Sequence, residues 1–225
     1  MNGVHDMGGM HGFGAIATDD TAQFHADWER LVFSMDKAVK AQEIINIDQK
    51  RHAIERMGQA EYLRSTYFER WMAAIEIMLA EEGYLTPDEL ETRLEEVLVA
   101  EDPMNVVPNR TDPDLAARIR EAFESEASFD RDPTEPAYEE GETVRVRNTH
   151  PEGHTRCPRY ARRAVGEIET VHGTFIYPDT NAHGEERAEP LYTVGFDAAE
   201  LWSIDAETPN DTVHIDLWEP YLEEP

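Results

Sequence analysis

Chemistry needs side chains that titrate, ligate or attack, and in this chain of 225 residues these are nine histidines, the single cysteine Cys157 and a large excess of carboxylates. The histidines are scattered. His150 and His154 lie four apart, but Pro151 and Gly153 between them predict a turn rather than a helix face. His214-Ile215-Asp216 could project two metal ligands from one strand face, and a plain alternating strand accounts for it equally well. Paired acids such as Glu81-Glu82 and Glu95-Glu96 are most simply solvated surface. There is no G-x-S-x-G elbow, no P-loop and no G-x-G-x-x-G following a strand. One cysteine excludes an intrachain disulfide and any multi-thiolate metal site built by this chain alone. By its own residues the chain is not obviously an enzyme, and no metal-ligand set is expected of it.

The elements that would position these groups fall into two halves. Residues 1–23 carry glycine at positions 3, 8, 9, 12 and 14, with Val4, Met7, Met10 and Phe13 between them. Such a run has too little side chain to form a helix or strand, so it is expected to be an extended arm ordered by another surface. Residues 24–127 read as mostly helical. Over Glu61–Glu82, Leu63, Tyr67, Trp71, Ile75, Met78 and Leu79 recur every three or four positions, predicting one buried stripe, with Gly83 as the stop. Thr86-Pro87-Asp88-Glu89 predicts a capped restart carrying Leu90, Leu94, Val97 and Leu98. After a loop interrupted by Pro103 and Pro108, Asp112-Pro113 predicts another helix with Leu115, Ile119 and Phe123.

The acidic, proline-containing stretch 128–142 predicts a linker. From residue 143 the period changes to two. Thr143–Arg147, Ala164–Thr170, Thr174–Tyr177, Tyr192–Phe196 and Thr212–Leu217 predict five short strands over 143–225, whose spacing suggests a small barrel. The fold class is therefore α+β.

The net charge is −28, and of 20 basic residues only Lys37, Lys40 and Lys50 are lysine. This skew matches adaptation to high salt, where a Debye length of about 3 Å at molar ionic strength screens self-repulsion. It argues against nucleic-acid and anionic-membrane partners, which demand basic surface. With no basic-then-apolar leader and no apolar run of spanning length, a cytoplasmic location is expected.

Two segments, Met1-Asn-Gly-Val-His5-Asp-Met-Gly-Gly-Met-His11-Gly-Phe-Gly14 and Gly153-His154-Thr-Arg156-Cys-Pro158-Arg-Tyr160, resemble the β subunit of nitrile hydratase in content and order, and the match runs to Tyr221-Leu-Glu-Glu-Pro225. The resemblance sharpens the strand-rich half to an SH3-like β-barrel. It implies hydration of small organic nitriles to amides at the interface with a cysteine-rich α subunit, in a heterodimer or heterotetramer. The metal, iron(III) or cobalt(III), is then held by the partner's cysteine claw, two of whose cysteines are oxidised, and no cofactor by this chain alone. The arm is expected to embrace that partner.

Residue by residue, the resemblance implies that Arg51, in Arg51-His-Ala-Ile-Glu55-Arg56-Met57, and Arg156 donate hydrogen bonds to the oxidised cysteine oxygens. A guanidinium suits this task because it is permanently charged and presents a planar set of donors. Tyr67 and Trp71, in Ser65-Thr-Tyr-Phe-Glu-Arg-Trp71, and Ile47 would line the substrate cavity, and Glu55 would be an outer carboxylate. Plainer accounts stand beside these: a helix-surface ion pair of Arg51 with Asp48 or Glu55, a loop arginine at 156 facing water, and a core stripe for Tyr67 and Trp71. Lys50 departs from an often apolar position, and would make the pocket more polar or snorkel away from it. Cys157 departs from the usual methionine, as a packing residue or a reactive thiol. Two other classes remain open, a thiocyanate hydrolase-type subunit and a non-enzymatic, metallochaperone-like nitrile hydratase activator. The fusion of helical and strand-rich halves, and the retention of both arginine motifs, favour the hydratase.

Overall fold

The computed structural model describes residues 2–16, 18, 22–102, 111–124 and 128–225, and of Phe123 the backbone alone. The loop expected around Pro103 and Pro108, the end of the helical stretch at 125–127 and parts of the arm lie outside the described residues. Chain contacts divide the protein into a helical unit, Ala22–Met57 with Arg64–Ala127, and a sheet unit, Met1–Thr21 with Gly58–Leu63 and Ser128–Pro225.

In the helical unit, α1 (Asp27–Ala41) packs on α4 (Tyr67–Glu81) and α6 (Pro113–Glu124), and α2 (Ile47–Glu55) packs on α4. Asn46 starts α2 because its carboxamide oxygen accepts the N–H groups of Asp48 and Gln49 at 3.0 and 2.8 Å, while Gln49 reaches back to the Asn46 N–H at 2.7 Å. Val39, Ile45, Ala53, Ala74 and Met78 form one buried cluster, and Val32, Phe68 and Ile75 a second.

The stretch expected as one helix over Glu61–Glu82 is two, α3 (Gln59–Arg64) and α4. The break falls at Ser65-Thr66, where the Glu69 carboxylate accepts the Thr66 N–H at 2.6 Å and restarts the helix. Leu63 and Tyr67 consequently lie exposed, and the buried face of α4 is Phe68, Ala74, Ile75 and Met78. Gly83 ends α4 as expected, in the left-handed region at φ +74°. Thr86 caps α5 (Pro87–Val99), whose Leu90, Leu94 and Leu98 are all exposed. The Asp112 carboxylate caps α6 through the Leu115 N–H at 3.0 Å.

The sheet unit is a five-stranded antiparallel sheet in the order β4-β3-β2-β1-β5, with β4 and β5 as its edges. The strands are β1 (Thr143–Val146), β2 (Val165–Ile176), β3 (Ala188–Asp197), β4 (Thr212–Trp218) and β5 (Leu222–Glu223). Two strands expected separately, Ala164–Thr170 and Thr174–Tyr177, are one strand, β2, whose register against β3 shifts between Ile168 and Thr170 and again between Val171 and Gly173. Extra residues accommodated as bulges keep a ladder continuous where a sequence pattern loses its period. Alternate residues face the core, as Tyr192, Val194 and Phe196 do on β3. Short helices α7 (Pro178–Asn181) and α8 (Ala198–Trp202) follow β2 and β3. The five strands form an open sheet with β4 and β5 unpaired to each other, so the α+β architecture holds and the expected barrel is not closed among the described residues.

The acidic stretch after residue 128 lies along this sheet. Asp130 bridges Phe175, the Arg131 N–H donates to the Thr174 carbonyl at 2.9 Å, and the Gly141 N–H donates to the Ile168 carbonyl at 2.8 Å. The first part of the arm rests on this chain's own sheet unit. The Asp6 carboxylate accepts the Arg159 N–H at 3.1 Å, and Arg162, which is buried, donates to the Asn2 carboxamide oxygen at 2.6 Å. Glycine is required there: a Cβ on Gly8 would meet Tyr160 at 2.9 Å, and one on Gly9, at φ +75°, would meet the Trp202 indole at 2.9 Å. Further along, Met10, Phe13 and Ile16 are exposed.

Candidate functional site

On α2, Ile47, Arg51 and Glu55 recur every four residues and so share one face, each half-buried. The Arg51 guanidinium donates to Asp48 Oδ1 at 2.9 Å, so the plain helix ion pair is present, and 41% of its side chain remains exposed. Asp48 is itself buried, so this pair orients Arg51 while leaving part of its donor fork at the surface. Arg56 is committed elsewhere, in a two-pronged pair with Glu81 at 2.5 and 2.9 Å.

Tyr67 and Trp71 stand one turn apart at the start of α4 with ring centroids 5.3 Å apart. Trp71 also packs on Phe33 at 6.2 Å and Phe68 at 5.6 Å, while Tyr67 is 62% exposed. The two thus form the open edge of an aromatic cluster whose floor is core. Trp71 is thus packed into the cluster, as a core stripe requires, while the Tyr67 phenol is accessible.

Lys50 neither snorkels nor faces solvent. It is buried, its Nζ lies 3.4 Å from the Trp71 ring centroid and 2.7 Å from Asp36 Oδ1, and Lys40 meets the other Asp36 oxygen at 3.0 Å. Asp36 is fully buried. Burial lowers the Lys50 ammonium to about 8, against the opposing pull of Asp36. All three lysines of the chain sit on rings, since Lys37 lies 5.4 Å from the Phe33 centroid and Lys40 lies 6.0 Å from that of Trp71. Sequence reasoning missed this buried cation pair. The Asp36 and Lys40 spacing of four was its one visible signal.

Arg156 lies in the sheet unit, in the loop before the short turn Arg159–Ala161, and is exposed. Its N–H donates to the Tyr221 hydroxyl at 3.1 Å, and that hydroxyl donates to Asp179 on α7. Cys157 beside it is buried, and burial pushes its thiol up to about 11, which makes it a packing residue. The roles of Asp179 and Tyr221 were not anticipated; the terminal Tyr221-Leu-Glu-Glu-Pro225 match was visible without a function. A cleft of about 230 Å³ between the arm and α8, lined by Met10, His11, Trp202 and Glu207 among others, includes none of the six expected site residues.

Among the described residues, no three His, Cys, Asp or Glu side chains gather as a metal-holding group. The described residues thus gather no ligand set of their own. The helical unit offers Arg51 and the aromatic edge of Tyr67 and Trp71, and the sheet unit separately offers Arg156; a guanidinium suits anionic oxygens, and an aromatic edge suits a small, partly apolar molecule.

Family models for the nitrile hydratase β subunit match this geometry's host chain in two parts, the N-terminal model over residues 1–122 and the C-terminal model over 128–224. The chain is 39% identical over 226 residues to nitrile hydratase subunit β of Pseudomonas putida, covering 99% of each. It is 41% identical to the low-molecular weight cobalt-containing nitrile hydratase subunit β of Rhodococcus rhodochrous, again covering 99% of each. To the cobalt-containing subunit β of Pseudonocardia thermophila it is 37% identical, covering 99% of this chain and 96% of that one. A solved structure of thiocyanate hydrolase from Thiobacillus thioparus, recombinant apo-enzyme, aligns with 41% of this chain and 79% of its own at 27% identity, with a TM-score of 0.39 that is too low to carry an argument. With both of its halves matched and full-length relatives well above 30% identity, the chain belongs to the nitrile hydratase β-subunit family.

Proposed function

We propose that this chain is the β subunit of a nitrile hydratase and, with a cysteine-rich α subunit, converts small organic nitriles and water into amides. Family membership over the whole chain carries this reading, and both arginine motifs support it. A partner-held trivalent metal would supply Lewis-acid chemistry at the interface. The cobalt in two relatives' names favours cobalt over iron.

In this reading Arg51 and Arg156 place permanent positive charge and directed N–H donors against the oxidised cysteine oxygens of the partner. Glu55, one turn beyond Arg51 on α2, is an outer carboxylate on the same face. Trp71 and Ile47 form part of the apolar wall, and the accessible Tyr67 hydroxyl orients the nitrile or water. Exposed Phe13 and Ile16, with the Leu90, Leu94 and Leu98 stripe of α5, supply apolar surface for a large obligate interface. The sheet is read as an SH3-like barrel on family grounds, and the composition as that of a cytoplasmic protein from a salt-adapted cell.

The test is hydration of a simple nitrile in high salt by this chain alone and by the chain co-purified with its α-type partner, with metal measured on both. Activity and stoichiometric metal only in the complex are expected. A complex that binds metal and hydrates thiocyanate but no nitrile would move the assignment to a thiocyanate hydrolase. Absence of any stable complex would favour an activator.

A further inference from the structure

The loop that carries Arg156 is held at three successive residues, at two of them by groups distant in sequence. At 155, the threonine hydroxyl bonds the Asp179 carboxylate and accepts the Cys157 N–H at 3.3 Å. At 156, the backbone N–H donates to the Tyr221 hydroxyl at 3.1 Å. At 157, the carbonyl accepts from Arg162 at 3.3 Å. Tyr221 is 3% exposed, and its ring packs against Tyr177 at 5.5 Å and Trp218 at 6.3 Å.

Asp179 gathers the hydroxyls of Tyr221, Thr155 and Tyr177 and lies near His154. Burial holds its carboxyl above the usual carboxylate range, against the pull of those donors. Even half-buried, a carboxylate is a costly way to fill space, since an apolar side chain of similar size would do so without desolvation. What it adds is direction, because hydrogen bonds fix angles that packing leaves loose.

We propose that Asp179 and Tyr221 are positioning residues for Arg156, holding the backbone of 155–157 so that the guanidinium meets the anionic oxygens of the partner's metal centre at a set place. This rests on the role given to Arg156 above. It also gives a purpose to the C-terminal Tyr221-Leu-Glu-Glu-Pro225 segment, which the reaction otherwise leaves unused.

The experiment uses the α/β complex with Tyr221→Phe, Asp179→Asn and Asp179→Ala, and Arg156→Lys as reference. Tyr221→Phe removes one oxygen and keeps the ring. The variant is expected to assemble and carry metal, with kcat lowered about 10- to 100-fold, as for other outer-shell partners, and KM within twofold. The metal-to-sulfur absorption band should shift in the same sense as in Arg156→Lys, and amide exchange at 154–158 should accelerate. Asp179→Asn, which keeps an acceptor oxygen, should retain more activity than Asp179→Ala. Wild-type kcat and an unshifted band in Tyr221→Phe, beside an impaired Arg156→Lys, would overturn the inference. So would a loss of activity that merely tracks loss of assembled complex, with an unshifted band in what assembles. Full activity in Arg156→Lys would instead overturn the role of Arg156 itself.

Discussion

At the scale of single residues, the decisive observations concern charges that left the surface. A lysine was visible at position 50, but its fate depended on Asp36 and Lys40 on another helix and on the Trp71 ring. Removing the carboxylate should expose the full cost of that buried ammonium: Asp36→Ala is expected to destabilise by about 3–5 kcal/mol, read by urea unfolding in high salt. Tryptophan emission should titrate with a midpoint near pH 8 through Lys50, and Lys50→Met should abolish that transition. The sign is set by the lowered value. Between about 8 and 10.5 the unfolded chain binds more protons than the folded one, so this group's unfavourable contribution is complete below about 8 and is relieved as pH rises through that window. Cys157 makes a second case. With its thiol pushed up to about 11 and its side chain buried, alkylation by iodoacetamide at pH 8 should proceed only on unfolding; rapid labelling of the folded protein would contradict the packing role.

The secondary-structure elements were legible where a local chemical signal sits at their ends. Thr86-Pro87-Asp88-Glu89 announced α5, Asp112 announced α6 and Gly83 announced the end of α4, because a cap is a contact between residues close in sequence. Gly83→Ala should cost about 1–2 kcal/mol through its left-handed backbone, measured as a loss of stability with the assembly state unchanged. Local signals mislead where periodicity outruns the caps. The Glu61–Glu82 stripe looked continuous because Leu63 and Tyr67 keep the spacing, yet Thr66 and Glu69 start a new helix between the expected ends. In the sheet the error was the opposite, since bulges hid one long strand behind two short patterns.

For the whole molecule, the charge of −28 bears on assembly more than on fold. Transfer of the complex from molar salt to dilute buffer is expected to dissociate or unfold it, as followed by light scattering and circular dichroism; an unchanged assembly state would remove the basis for salt adaptation. The sequence by itself determined the family, the change from helix to strand along the chain, the starts of α5 and α6 and the end of α4, because these rest on motifs and contacts local to the chain. Only the tertiary structure decided that the first part of the arm lies on its own sheet unit, that Lys50 is a buried partner of Asp36, and that Asp179 and Tyr221 fix the loop of Arg156. Each of those joins residues 14 to 160 positions apart, and a hydrogen bond between such positions leaves no periodic trace in the sequence, since what brings its two ends together is the packing of everything between them.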